Sequence, residues 1–174
     1  IGVLGLVPHY DNDMPVSMLL VDKKPKSVLA ESFRSIRSNL QFVDSSEGSK
    51  LICITSTISG EGKTFISINL GGIISFSNKK VIILDLDMRK PKIHKAFDVE
   101  NKQGMSTLLI GKAKLEDCIR HSPTENLDYI TAGPVPPNPS ELLLNPELDK
   151  LIAQLREKYD VIIADNPPVG LVTD

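Results

Sequence analysis

Cysteine is scarce in this sequence, and the two present have no pattern. Cys53 falls in an apolar stretch that reads as a buried strand and Cys118 in a helical stretch, so both are expected to be reduced core thiols. A disulfide framework and a thiolate metal site are disfavoured. The three histidines, His9, His94 and His121, keep no ligand spacing with the cysteines. An excess of one charge is lacking as well. The net charge of -2 gives no global reason to expect nucleic acid or a membrane surface as a partner. Neither a signal peptide nor an apolar run of about 18 residues is present. The sequence also opens without methionine and runs to Asp174 without a terminating element. It is therefore expected to be a piece of a larger protein, with the C-terminal part of the fold absent, and the missing span says nothing of the parent.

What is present has an ordinary balance: 41% hydrophobic and 24% charged residues over 174 positions, enough for one domain with a real core. The organising stretch is Thr57-Ile58-Ser59-Gly60-Glu61-Gly62-Lys63-Thr64. Before it, residues 51–55 are apolar and β-branched, as in a strand; after it, Ile66, Leu70, Ile73 and Ile74 recur at helical spacing. Strand, glycine-containing loop, Gly-Lys-Thr and helix are the parts of a phosphate-binding loop, in that order. Backbone N–H groups over Ser59, Gly60, Glu61 and Gly62 can point at phosphate oxygens, and the helix N-terminus adds positive potential. Lys63 can reach the β- and γ-phosphates, and Thr64 can offer its hydroxyl to Mg²⁺. A turn with an exposed lysine is the plainer alternative, but it leaves the flanking strand and helix unexplained. Thr57 stands where the first glycine of the loop motif would be. A β-branched residue does not easily take positive φ, so the loop is expected to begin in a β-like conformation and to rest its anion nest on Gly60 and Gly62.

Residues 1–8 read as a short strand or an extended lead-in, and residues 9–26, polar and carrying Pro15 and Pro25, as a surface connector. Over 27–43, Leu29, Phe33, Ile36, Leu40 and Val43 alternate steps of four and three, predicting an amphipathic helix. Its polar side carries Glu31, Arg34 and Arg37, which suit either a solvated face or one that docks another subunit. A second core strand, 81–84, runs into Asp85-Leu86-Asp87-Met88-Arg89. Acidic groups at the carboxyl end of a parallel strand can hold Mg²⁺ or orient a hydroxyl, though a turn capped by Asp is also compatible. Residues 92–126 read as short helices and loops, 127–131 as a third strand. Pro136, Pro137 and Pro139 are expected to exclude regular structure, and 146–157 reads as a helix. The last strand, 160–164, ends in Asp165-Asn166-Pro167-Pro168, where an acid downstream of a phosphate loop fits the Mg²⁺-associated position. Strands separated by helical segments imply an α/β fold with a mostly parallel sheet.

Taken together, the phosphate loop, Ile82–Arg89 and Ile162–Pro168 resemble the bacterial tyrosine kinases, the cytoplasmic domains of polysaccharide co-polymerases. Residues 31–40 are similar to that family's ExxRxxR oligomerisation helix, and residues 126–143 to its Gly-Pro and Pro-Pro-Asn-Pro loop. The resemblance implies a P-loop NTPase-like three-layer fold. It also implies an ATP- and Mg²⁺-dependent protein-tyrosine kinase that autophosphorylates in trans within a ring and regulates capsule or exopolysaccharide synthesis and export. Lys63 and Thr64 would bind phosphates and metal. Asp85 would coordinate metal and activate the tyrosine hydroxyl, with Asp87 assisting and Asp165 completing the acidic set. Arg89 would brace the acidic loop or the transferring phosphate, and Glu31, Arg34 and Arg37 would hold the ring. The implied partners are other copies of the chain, a fused transmembrane region or separate membrane activator, tyrosine-containing substrates and a cognate phosphatase. The implied location is the cytoplasmic side of the inner membrane. One departure is plain: Tyr10, Tyr129 and Tyr159 are the only tyrosines and form no cluster.

Three other readings compete. A septum-positioning or partition ATPase of the MinD/ParA kind shares the acidic motif but carries a signature lysine where Ile58 stands. A dinucleotide-binding dehydrogenase would need a GxGxxG turn instead of Gly-Lys-Thr. A nucleotide-responsive scaffold would assemble with little phosphoryl transfer, and would not need Asp85, Asp87 and Asp165 beside Lys63.

Overall fold

A strand buried on both faces marks the centre of the molecule. Every residue of Val81–Asp85 is buried, as expected where helices cover both sides of a parallel sheet. The computed structural model describes residues 2–10 and 19–171. In chain order the elements are α1 (Leu20–Lys23), α2 (Val28–Val43), β1 (Lys50–Ile54), α3 (Lys63–Ser75), β2 (Val81–Asp85), α4 (Ile93–Ala96), α5 (Met105–Leu109), α6 (Leu115–Cys118), β3 (Arg120–His121), β4 (Leu127–Ile130), α7 (Pro139–Leu143), α8 (Pro146–Arg156) and β5 (Val161–Asp165), followed by a 3₁₀ turn at Val169–Leu171. The sheet order is β1-β5-β2-β4-β3, with β3 antiparallel to β4 and the other pairs parallel. This is the expected α/β fold with a mostly parallel sheet.

Strand alternation divides the core into two layers. Ile83, Val81 and Ile163 face one cluster with Phe33, Ile68 and Ile73. Ile82, Leu84 and Ile162 face the other with Met105, Ile130 and Leu155. Helix α3 is buried almost all round, which demands small residues where neighbours approach. A Cβ at Gly71 would lie 3.0 Å from Ile83 Cδ1, and one at Gly72 only 2.7 Å from Leu19 Cδ1. Helix α2 packs outside α3 through Leu29, Phe33 and Ile36, and begins where Ser27 Oγ accepts from Ala30 N at 3.2 Å. The lead-in lies along α2 as irregular chain. Asn39 Nδ2 donates to Leu4 O at 2.7 Å, and Tyr10 stacks on Phe65 with ring centroids 6.5 Å apart.

Several expectations change on contact with the fold. The 9–26 stretch does not run wholly over the surface: Leu19 and Val21 are buried under α3, and Val21 N donates to Asn69 Oδ1 at 3.2 Å, while residues 11–18 lie outside the described part. Cys118 is buried, but Cys53 is exposed, because β1 is the edge strand and has a neighbour on one side only. The α2 stripe ends before Val43, which is exposed. Pro139 starts a helix instead of excluding one, since proline at the first helical position gives up an amide that would have no partner anyway. The two-residue strand β3 carries no period that a sequence can reveal.

Candidate functional site

Parallel register places two carboxylates side by side. Asp85 at the end of β2 pairs with Asp165 at the end of β5, and Asp165 in turn pairs with Ile54, the last residue before the phosphate loop. The sheet's carboxyl edge thus gathers loop and acids, as doubly wound sheets do. Thr64 Oγ1, in the first turn of α3, donates to Asp165 Oδ2 at 2.7 Å. Lys63 Nζ lies 3.9 Å from Asp87 Oδ2, with both side chains nearly buried. Asp85 is fully buried and its carboxylate accepts three backbone amides: Asp87 N at 3.2 Å, Lys92 N at 3.2 Å and Ile93 N at 3.1 Å. Asp87 Oδ1 accepts from Lys90 N at 3.2 Å, so the turn after β2 is tied by the very acids it carries.

Burial dominates the electrostatics. It pushes the Asp85 carboxyl up to about 8, helped by the charges of Asp165 and Asp87 and opposed by the Ile93 and Lys92 amides. Asp165 is raised to about 6, again mainly by burial, with the Thr64 hydroxyl and the Lys63 charge pulling the other way. Among the described residues, Asp165 Oδ1 is buried without a hydrogen-bond partner. An orphaned carboxylate oxygen beside a threonine hydroxyl suits a hard cation. No group of three His, Cys, Asp or Glu side chains among the described residues could cage a metal alone. Mg²⁺ takes one or two carboxylates and completes its shell with phosphate oxygens and water.

The loop itself is exposed. Gly60 and Gly62 adopt φ of 92° and 88°, and a Cβ at either would meet nothing within 4 Å, so glycine is needed there for backbone freedom and not for space. Its entry is stitched to the chain after β5: Thr55 Oγ1 donates to Pro167 O at 2.8 Å, and Val169 N to Ser56 O at 2.9 Å. The Glu61 side chain turns back on the loop and accepts from Thr57 N and Ile58 N.

Lys63, Thr64, Asp85, Asp87 and Asp165 therefore converge with the loop residues 59–62. Arg89 lies at the rim, where Nη2 donates to Ser140 Oγ at 2.9 Å, linking the acidic turn to the Pro-Pro-Asn-Pro loop. Glu31, Arg34 and Arg37 are elsewhere, on α2. Arg34 pairs with Glu31 and donates to Pro25 O at 2.7 Å, while Arg37 Nη1 donates to Ile73 O of α3 at 2.9 Å. Sequence reasoning missed the Arg89–Ser140 contact, the Lys92 and Ile93 amides and the fold-back of Glu61, because none of these contacts is encoded by a motif. A cleft of about 990 Å³ opens at the opposite, amino-terminal edge of the strands between Lys50, Lys80 and Arg156. Arg37 lines it, but the loop residues, Lys63, Thr64, Arg89 and the three acids do not, and chemistry outweighs volume in placing the site.

Comparison with known proteins agrees with the geometry. A family model described as an AAA domain matches residues 49–174. The tyrosine-protein kinase YwqD of Bacillus subtilis is 38% identical over 151 residues, which are 87% of this chain and 64% of YwqD. The kinase domain of the Escherichia coli tyrosine kinase ETK superposes with a TM-score of 0.91 at 33% identity, covering 99% of this chain and 72% of that one. The chimerical protein CapA2B2 gives a TM-score of 0.90 at 38% identity, covering 99% and 73%. The septum site-determining protein MinD of Pyrococcus horikoshii, solved with Mg-ADP, is more distant, with a TM-score of 0.59 at 28% identity over 69% of this chain and 49% of MinD. With the whole described fold shared at this level of identity, the chain belongs to the bacterial tyrosine kinase family.

Proposed function

We propose that this chain carries the phosphate-binding and catalytic groups of an ATP- and Mg²⁺-dependent protein-tyrosine kinase. The observation that carries the reading is the convergence of Lys63 on Asp87 and of Thr64 on Asp165, with one Asp165 oxygen left over. Thr64, Asp87 and Asp165 would hold Mg²⁺, with Asp85 behind them; the bound ion would neutralise charge on the phosphates. Amides of residues 59–64 and the Lys63 ammonium would stabilise the transferring phosphoryl group. Asp85 is the group proposed to orient the phenol or, once ionised beside the bound cation, to deprotonate it. Since Asp85 is fully buried, contact with a phenol requires residues 86–92 to shift. Arg89, fixed on Ser140, would keep that turn in register with the first turn of α7.

The wider reading follows the family: autophosphorylation in trans within a ring, control of capsular or exopolysaccharide export, a membrane-anchored or membrane-associated setting on the cytoplasmic side, and reversal by a phosphatase. Nucleic acid has no place in it. The test is incubation of the full-length protein with γ-labelled ATP and Mg²⁺, read by phosphoamino-acid analysis beside release of free phosphate. Label on tyrosine is expected, and Lys63→Met and Asp85→Asn are each expected to abolish it. Free phosphate without protein label would move the chain to the MinD-like ATPase or scaffold reading; substantial labelling by either variant would remove that residue's assigned role.

A further inference from the structure

The first half of the phosphate loop is held in an unusual way. Ser56 O accepts from Val169 N at 2.9 Å, Thr57 O accepts from Gly170 N at 3.2 Å, and Ser56 Oγ donates to Ile58 O at 2.7 Å. Two consecutive amides, Thr57 N and Ile58 N, both donate to one atom, Glu61 Oε2, at 2.8 Å and 3.1 Å. Residues 57 and 58 therefore offer no N–H group to a phosphate. The donors left for an anion lie further along, where left-handed Gly60 and Gly62 flank Glu61 and let the chain double back.

An acid is an odd choice in a loop that receives polyphosphate, because its charge repels the ligand. Its placement explains it. The loop motif usually begins with glycine, whose backbone can turn freely; Thr57 cannot supply that turn. A single acceptor oxygen gripping two consecutive amides replaces backbone freedom with a side-chain clamp. We propose that Glu61 is a positioning residue, its carboxylate bracing Thr57 and Ile58 so that the loop is preorganised before nucleotide arrives. This rests on the nucleotide-site reading above and adds a role for a side chain where that reading uses only backbone.

The experiment uses full-length protein and titrates a fluorescent ADP with Mg²⁺ by anisotropy, beside melting without nucleotide. Glu61→Ala is expected to weaken binding about tenfold and to raise the KM for ATP more than it lowers kcat. Its melting temperature should stay unchanged, because the contacts are exposed. Glu61→Gln keeps an acceptor oxygen and is expected to bind within about twofold of the parent. Four results would overturn the role: Glu61→Ala binding like the parent, Glu61→Ala binding more tightly (a plug that competes with phosphate), Glu61→Gln failing as badly as Glu61→Ala, or loss of binding matched by a lower melting temperature. Absence of binding by the parent protein would instead sink the nucleotide site, and this role with it.

Discussion

Asp85 and Asp165 show at the scale of single residues what a charged site costs the fold that carries it. Both carboxyls are raised from the ordinary value of 3.8, Asp85 to about 8 and Asp165 to about 6. Between those limits the folded chain holds protons that the unfolded chain has released. Stability of the metal-free protein therefore falls as pH rises from about 4 towards 8. Melting in EDTA is expected to show a clear drop between about pH 5 and pH 8, and Mg²⁺ with nucleotide should reduce it by neutralising the charge that forms. Asp85→Asn removes the larger of the two ionisations, so its profile should be flatter than the parent's, even though its Nδ2 cannot accept the backbone amides that one carboxylate oxygen takes. A parent profile that rises over this range would show that the acids are paired more strongly than their burial suggests.

At the scale of elements, α2 is tied to α3 by more than its apolar stripe. Arg37 reaches from α2 to Ile73 O, one of the last carbonyls of α3, where a cation also meets the negative end of the helix dipole. Arg37→Ala is expected to lower stability by about 1–2 kcal/mol, the value of a partly buried charge-assisted hydrogen bond. Urea unfolding of the full-length protein measures it, and an unchanged midpoint would free Arg37 from any role in holding the fold. The sequence makes α2 legible because five apolar residues repeat at helical spacing, yet it hides the target of Arg37, which depends on how two helices cross. The same division runs through the molecule. Strands β1, β2, β4 and β5 announce themselves as apolar runs, and the acids that follow β2 and β5 can be picked out from their position at strand ends. That β1 is an edge strand, exposing Cys53, depends on sheet order, which no single strand encodes. The burial of Leu19 and Val21 depends on Gly72 leaving room for them. At the sheet's carboxyl edge, the side chains that converge could be named from sequence, whereas the capping of Asp85 by Lys92 and Ile93 could not, because amides carry no sequence signature.

For the molecule as a whole, the outer layer formed by α2 and the lead-in carries several exposed large apolar side chains close together, while others, Leu144 and Ile58 among them, stand singly elsewhere. Val28, Phe42 and Val43 project from the helix and Val3 and Leu6 from the lead-in, Phe42 being 86% exposed. Such exposure is what a surface meant for another subunit leaves open. The Glu31–Arg34 pair lies on the same helix at the surface, with Glu31 exposed and Arg34 half-buried, and such a pair contributes at most about 1 kcal/mol to the fold. Arg34 is therefore a cleaner probe of assembly than Arg37, whose loss also disturbs α3. Arg34→Glu places two acids three residues apart and opposes any acidic patch that Arg34 would meet on a neighbour. In the full-length protein it is expected to lower the mass measured by light scattering while leaving the melting temperature within a degree or two of the parent's. Mass and melting temperature falling together would point to damage within the subunit. An unchanged mass would return Glu31 and Arg34 to an ordinary solvated face and leave the exposed apolar residues of α2 to be explained by some contact other than self-assembly.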